Sequence, residues 1–184
     1  MPYFEIFQPN ACSYWVRQDQ NKQSGYVSQQ RWVGHIDAMP KDDEALFVFE
    51  YFEEWYQSEY HRFHQEKPEL ASLVPLTDRG LMIDSLEQGL LFGMKEAKET
   101  IGLIAGDRQT FMGKPSVYLN EILVAQSHRG KGYGHQLLAR FVNRLAADYF
   151  ICHIDAANIT STRTALRSGQ TVFSQEVMEP MSLV

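Results

Sequence analysis

Residues 117–138 read "VYLNEILVAQSHRGKGYGHQLL", and this stretch decides the architecture. Strand-like residues run to Val124, four hydrophilic residues follow, and Gly130, Gly132 and Gly134 then alternate before an amphipathic pattern begins. Glycine loses more conformational freedom on folding than any other residue, so three in close succession mark a sharp turn or a close approach to the backbone. Leu137, Leu138, Phe141, Val142 and Leu145 share one side, with Arg140 and Arg144 on the other, which predicts a helix from Gly134 to about Tyr149. "YFICHIDA" (149–156) then reads as a short buried strand. Strand, glycine loop, helix and strand make a right-handed crossover between adjacent parallel strands.

Outward from this unit, "GLLFGMKEA" (89–97), "TIGLIAGDRQT" (100–110) and "PSVYLNEILVA" (115–125) read as three strands, "NITSTRTALRSG" (158–169) as a helix and "TVFSQEVMEPMSL" (171–183) as a closing strand. Toward the N-terminus, "YFEIF" (3–7) and "YVSQQRWVGHI" (26–36) suit one or two strands joined by the polar "RQDQNKQSG" (17–25). Pro40 and the acidic residues after it suit a helix N-terminus, and Val48, Phe52, Trp55, Tyr56, Tyr60 and Phe63 fall on one stripe, predicting a helix over about 42–65. "ELASLV" (69–74) is a candidate short helix between Pro68 and Pro75, and residues 76–88 are open between helix and loop.

With 184 residues, 44% of them hydrophobic, the chain suits one compact domain. Seventeen basic against 23 acidic residues give a formal charge of −6, which argues against a broad nucleic-acid surface. Cys12 and Cys152 stand in unrelated contexts without CxxC spacing, so neither a disulfide framework nor a zinc site is indicated. The N-terminus lacks a leader pattern and no apolar run reaches membrane-spanning length, so the expected location is the cytoplasm.

The glycine loop fits neither a GxxxxGK[ST] phosphate loop nor GxGxxG, whose third glycine would fall on His135. What remains is Arg129-Gly130-Lys131-Gly132-Tyr133-Gly134, an R-x-x-G-x-G run between strand and helix. Unobstructed amides at the positive end of a helix form an anion cradle, with Arg129 and Lys131 adding mobile charge, and a pyrophosphate fits it. Each amide bond to a charged oxygen contributes roughly 1.5–3 kcal/mol.

"NEILVAQSHRGKGYGHQLL" (120–138) and "IDAANITS" (154–161) resemble the coenzyme A signature of the GNAT superfamily of N-acetyltransferases over roughly residues 88–183. The resemblance implies a single GNAT-like α/β domain over 1–184. Its sheet would be mixed and mostly antiparallel, with helices on both faces and a splayed pair of central parallel strands. Residues 1–87 would form the acceptor side and 88–184 the coenzyme A-binding core. It also implies that pantetheine pairs with the backbone of Ile122, Leu123 and Val124, that an amide near Leu123 polarises the thioester, and that Asn158 occupies the family's asparagine position after the fifth strand. The implied reaction is acetyl transfer from acetyl-CoA to a primary amine of a small molecule or protein, by direct attack and without a metal.

Direct attack needs a neutral amine, so a carboxylate base is expected, and Glu121 is the candidate. Strand alternation places it with Leu123 on one face, and Ile122 and Val124 on the other. The alternative role for Glu121 is a strand-edge ion pair. Ala165 stands where many relatives carry a protonating tyrosine, and Gln170 follows Gly169 where many have phenylalanine; Ser161 or a water would then meet the thiolate. That departure motivates a second reading, a coenzyme A-binding sensor or interaction module without turnover. Use of a longer acyl donor and formation of a homodimer stay open.

Other conspicuous residues have plainer explanations. His61 and His64 lack a third ligand and suit a solvated helix face, so no metal is assigned. Cys152 and His153 are adjacent in a strand and point to opposite faces, which excludes a nucleophile-base pair. The aromatic stripe is read as core packing ahead of an amine pocket, and Glu50, Glu53 and Glu54 as a solvated face ahead of a polyamine site.

Overall fold

A computed structural model of the chain describes residues 4–7, 13–16, 27–42 and 44–178. The polar linker 17–25, Cys12 and the last residues of the closing strand, 179–183, lie outside them. The strands are β1 (Phe4–Phe7), β2 (Ser13–Val16), β3 (Val27–His35), β4 (Phe47–Val48), β5 (Leu91–Glu96), β6 (Glu99–Phe111), β7 (Lys114–Val124), β8 (Tyr149–Asp155) and β9 (Thr171–Met178). The helices are α1 (Glu53–Glu66), α2 (Arg79–Glu87), α3 (Tyr133–Val142) and α4 (Ile159–Arg167). Among the described residues these strands form one sheet in the order β1-β2-β9-β3-β8-β7-β6-β5-β4. Its pairs are antiparallel except β7 with β8 and β2 with β9. The expected mixed, mostly antiparallel sheet is therefore present.

Helices cover both faces. On one, Tyr56 and Tyr60 of α1 and Met82 of α2 pack on Leu91, Leu103 and Leu123. On the other, Leu137, Leu138 and Phe141 of α3 and Ala165 of α4 pack on Ile104, Val117, Phe150 and Cys152. Leu137, Leu138 and Phe141 are fully buried. At about 1.5–3 kcal/mol for each large apolar side chain removed from water, they hold α3, and the loop at its N-terminus, firmly on the sheet.

Two boundaries differ from the sequence reading, and one open stretch is resolved. The acidic residues after Pro40 do not open a helix: Asp42 and Glu44 pair with the buried Arg140 of α3, the Asp42 contact being 3.0 Å. Phe47–Val48 pairs with β5, and α1 begins only at Glu53. α3 ends at Val142 rather than near Tyr149, where Asn143 turns its Nδ2 to the Pro40 carbonyl at 2.7 Å. Residues 76–88, open between helix and loop in the sequence, hold both: 76–78 are irregular and α2 runs from Arg79 to Glu87, capped by Asp78, which accepts from the Gly80 N–H at 2.8 Å.

Arg140→Ala removes a buried cation that ties residues 42–44 to α3. A loss of about 1.5–3 kcal/mol is expected, the range for hydrogen bonds to charged groups. Chemical denaturation checks it, and an unchanged midpoint would mean that the tether carries no stability.

Candidate active site

The last paired residues of β7 and β8 are Tyr118 and Ile151. Beyond them the strands separate, and Leu119–Val124 form one wall and Cys152–Asp155 the other of a cavity of about 340 Å³. Tyr60, Phe63, Val74, Pro75 and Thr77 close it on the α1 side, and Asn158, Ser161 and Ala165 on the α4 side. The expected gap between central parallel strands is thus present, and it brings together Glu121, Ile122, Leu123, Val124, Arg129, Gly134, Asn158 and Ser161.

The register explains what each wall residue offers. Ala105 pairs with Glu121 but Gly106 pairs with Leu119, so Asn120 is an extra residue in β7. The bulge sets two successive side chains on the α1-α2 face. Asn120 donates to Asp107 at 2.7 Å and to Ser85 at 3.0 Å, while Glu121 turns into the cavity. The Ala125 N–H bonds the Ile101 carbonyl at 2.9 Å, continuing the β6-β7 ladder. Antiparallel parity then places the polar backbone groups of Leu123 toward β6 and those of Ile122 and Val124 toward the gap. The amides that face the gap are those of Ile122 and Val124, and the expectation centred on Leu123 moves by one residue. Leu123 instead packs its side chain under α1.

Glu121 Oε2 accepts from the Tyr56 hydroxyl at 2.6 Å and from Thr77 Oγ1 at 3.2 Å, and Oε1 accepts from the Ile122 N–H at 3.0 Å. The Tyr56 oxygen itself accepts the Thr77 N–H at 2.9 Å. Burial pushes the Glu121 carboxyl above the usual carboxylate range, and the bonds from Tyr56, Thr77 and Ile122 only partly oppose this. Burial, with the Glu121 charge second, also raises the Tyr56 hydroxyl, so Tyr56 stays protonated and remains a donor. The arrangement is a desolvated, oriented carboxylate with a strong demand for a proton. It is not an ion pair at a strand edge: its partners are hydroxyls and an amide.

The glycine loop has the geometry of an open cradle. Gly130 and Gly132 adopt φ of +77° and +88°, the left-handed region, with Gly132 as the N-cap of α3. A Cβ at Gly130 would meet nothing within 4 Å, whereas at Gly132 it would lie 3.2 Å from Arg167 Nη1. Gly134 serves close packing instead: its added Cβ would touch Thr164 at 3.5 Å and Val124 at 3.9 Å.

Arg129 is not mobile, contrary to the sequence reading. Its Nε donates to the Val124 carbonyl at 3.0 Å, its Nη1 pairs with Glu66, and its guanidinium lies 5.4 Å from the Phe63 ring centre. Lys131 is exposed, and Tyr133 donates its hydroxyl to Glu96, leaving only its backbone to the loop. Asn158 caps α4 through the Ser161 N–H at 3.2 Å, which keeps both at the cleft. The cradle of left-handed glycines, helix N-terminus and nearby cations suits a diphosphate, and the gap suits an extended chain.

Sequence reasoning did not find Tyr56 and Thr77 as partners of Glu121, nor Arg167 beside Gly132. The aromatic stripe held a partial signal: Tyr56 and Tyr60 are buried in the core, yet Tyr60 and Phe63 also line the cavity. His64 bonds the Val74 carbonyl at 2.8 Å and His61 bonds Gln65 at 2.9 Å. Among the described residues no helix is long and apolar enough to cross a membrane.

The fold is similar to that of solved acetyltransferases. A GCN5-related N-acetyltransferase from Sphaerobacter thermophilus is 19% identical with a TM-score of 0.54, over 86% of this chain and 55% of that one. A GNAT-family acetyltransferase from Colwellia psychrerythraea is 14% identical with a TM-score of 0.52, over 84% and 56%. The chain thus spans little more than half the length of these structures. No curated protein matches it. The sequence model of the acetyltransferase (GNAT) family matches residues 46–169, which take in α1 through α4 with β4 to β8 and so contain the loop and nearly all of the cleft. The chain therefore belongs to the GNAT acetyltransferase family.

Proposed function

We propose that this protein transfers an acetyl group from acetyl-CoA to a primary amine of a small molecule or protein, within one ternary complex. The observation that carries the reading is the desolvated Glu121 carboxylate, held by the Ile122 N–H on the stretch of β7 that has left β8. Acetyl-CoA supplies an activated acyl group as a thioester. The α3 N-terminus with Gly130 and Gly132 would hold its diphosphate, with Arg129, Lys131 and the Tyr133 amide nearby. The Ile122 carbonyl and Asn158 would hold its pantetheine arm, and Gly134 lets α4 close over it. The acceptor would come from the α1-α2 side, past Tyr60, Val74 and Pro75.

Glu121 accepts a proton from the amine as nitrogen attacks the acetyl carbon. The gap-facing Val124 amide stabilises the oxyanion, an effect worth about 2.7–4 kcal/mol where such a donor has been removed in other enzymes, while the Ile122 N–H stays on Glu121. Collapse breaks the carbon-sulfur bond and releases coenzyme A. Tyr56 and Thr77 orient Glu121 throughout.

Calorimetric titration with acetyl-CoA, followed by assay of free thiol release across a panel of amines, tests the reading. Binding with release supports it. Binding without release from any amine favours the sensor reading, for which Ala165, whose side chain has no proton to give, is the motivating residue. Absence of binding overturns both.

Tyr56→Phe supplies a test of the base. The Tyr56 bond favours the ionised form of Glu121, so its loss raises the Glu121 pKa further and moves the acidic limb of the kcat/KM profile to higher pH. Near neutral pH, kcat/KM should fall about tenfold for a lost bond of roughly 1.5 kcal/mol. A limb that stays in place or moves down would remove Glu121 from the role.

A further inference from the structure

The narrow end of the cleft contains a polar pair that the reaction outlined above does not use. β7 and β8 part immediately after Tyr118 and Ile151, so Leu119 and Cys152 stand at the point where the gap opens, and it widens toward the glycine loop. Gln170 and Ala165 line the same end, and Gln170 is held there by its N–H bond to the Ala165 carbonyl at 3.0 Å. A chain anchored by its phosphates at the loop and threaded along the gap presents its far end to these residues.

The orientation of the Gln170 amide follows from its neighbour. Burial pushes the Cys152 thiol up to about 12, so it stays protonated at neutral pH and acts as a donor. Its Sγ donates to Gln170 Oε1 at 3.3 Å. A carboxamide whose oxygen is committed in this way must direct its NH2 elsewhere, and Nε2 bonds no protein group among the described residues. Gln170 is 4% exposed, and what exposure it has faces the cavity. It is a buried, oriented donor with no partner among the described residues. Ala165 beside it brings no polar side-chain atom. Ser161, one turn earlier on α4, sits with Asn158.

We infer that Gln170 donates a hydrogen bond from Nε2 to the sulfur of the departing thiolate, and that Cys152 positions Gln170 for this. The inference rests on the acyl-coenzyme A reading above. As the tetrahedral intermediate collapses, the carbon-sulfur bond breaks and its electron pair stays on sulfur. The amide stabilises that charge without giving up its proton, and solvent protonates the thiolate after release. A charged acceptor strengthens an amide hydrogen bond about twofold over a neutral one, so the contact favours the products of cleavage.

The test compares coenzyme A with desulfo-coenzyme A by calorimetry between pH 7 and pH 9.5, for wild type, Gln170→Leu and Cys152→Ala. Wild type should bind coenzyme A more tightly than the desulfo analogue, and the ratio should grow at least tenfold as the thiol ionises. In Gln170→Leu that growth should vanish while desulfo-coenzyme A affinity stays within about twofold; in Cys152→Ala it should shrink. Turnover of Gln170→Leu should fall about ten- to a hundredfold with the acetyl-CoA KM unchanged. A wild-type ratio that does not change with pH, or growth that survives in Gln170→Leu, would overturn the inference even though both ligands bind. Failure of wild type to bind either ligand would instead overturn the acyl-coenzyme A reading, and the inference with it.

Discussion

Glu121→Gln should lower kcat/KM by roughly 10²–10⁴-fold, the usual contribution of a positioned general base, while acetyl-CoA binds as before. Glutamine keeps an acceptor for Tyr56 and Thr77, but its NH2 replaces the oxygen that accepts the Ile122 N–H, so the proton acceptor and that one bond are lost. Steady-state kinetics with calorimetric Kd values separates turnover from binding. The same variant has a second expected property. Because burial raises the Glu121 pKa in the fold, its contribution to stability is fully present below the unfolded carboxylate pKa and is lost as pH rises through the folded one. Glutamine carries no such loss, so the stability of the variant should fall less than that of wild type as pH rises. A variant whose stability follows pH as wild type's does would show that the Glu121 pKa is not raised by the fold.

Gly132→Val should reduce coenzyme A affinity by roughly 10²–10⁴-fold, corresponding to two amide bonds to a charged oxygen at about 1.5–3 kcal/mol each. Two causes act together. A β-branched residue is poorly tolerated at φ +88°, and its Cβ would also approach the Arg167 guanidinium at 3.2 Å. The loop must rebuild, and its amides turn away. Circular dichroism and thermal melting establish that the variant is folded, since α3 is anchored by Leu137, Leu138 and Phe141 well inside the helix. Retained affinity in a folded variant would show that the loop amides do not hold the ligand.

The unit from β7 to α4 could be read in the sequence because its signals are local. Alternation gives β7, the glycines give the turn, and the spacing of Leu137, Leu138 and Phe141 gives α3. Elements decided by distant partners were harder to see. Asp42 and Glu44 look like a helix start until Arg140, almost a hundred residues on, claims them. Val48 falls on the helical stripe, yet β5 recruits it with Phe47 as a strand. The cap that settles α2, Asp78 on the Gly80 amide, is a short signal in a mixed stretch.

At the site the same division holds. The strand face of Glu121 was legible from alternation, and it survives because the bulge at Asn120 precedes it. Its partners Tyr56 and Thr77 come from elsewhere in the chain and carry no motif of their own. The exchange of Leu123 for Ile122 and Val124 as gap-facing amides has a similar origin. Side-chain alternation can be read from sequence, but which strand edge a peptide group faces depends on the β6 register.

The two halves of the site share a strut. Glu59 of α1 accepts the Gln126 N–H at 2.9 Å, and Glu66, two turns further, holds both the Gln126 side chain at 2.7 Å and Arg129. The helix that presents Tyr56 and Tyr60 to Glu121 is thereby bolted to the segment leading into the glycine loop. Whatever tightens that segment also stiffens the wall an acceptor meets, and by thermodynamic reciprocity an acceptor that steadies the wall strengthens the hold on the loop's ligand by the same factor. Cooperation between two substrates would then rest on three carboxylate contacts between α1 and the segment that enters the glycine loop.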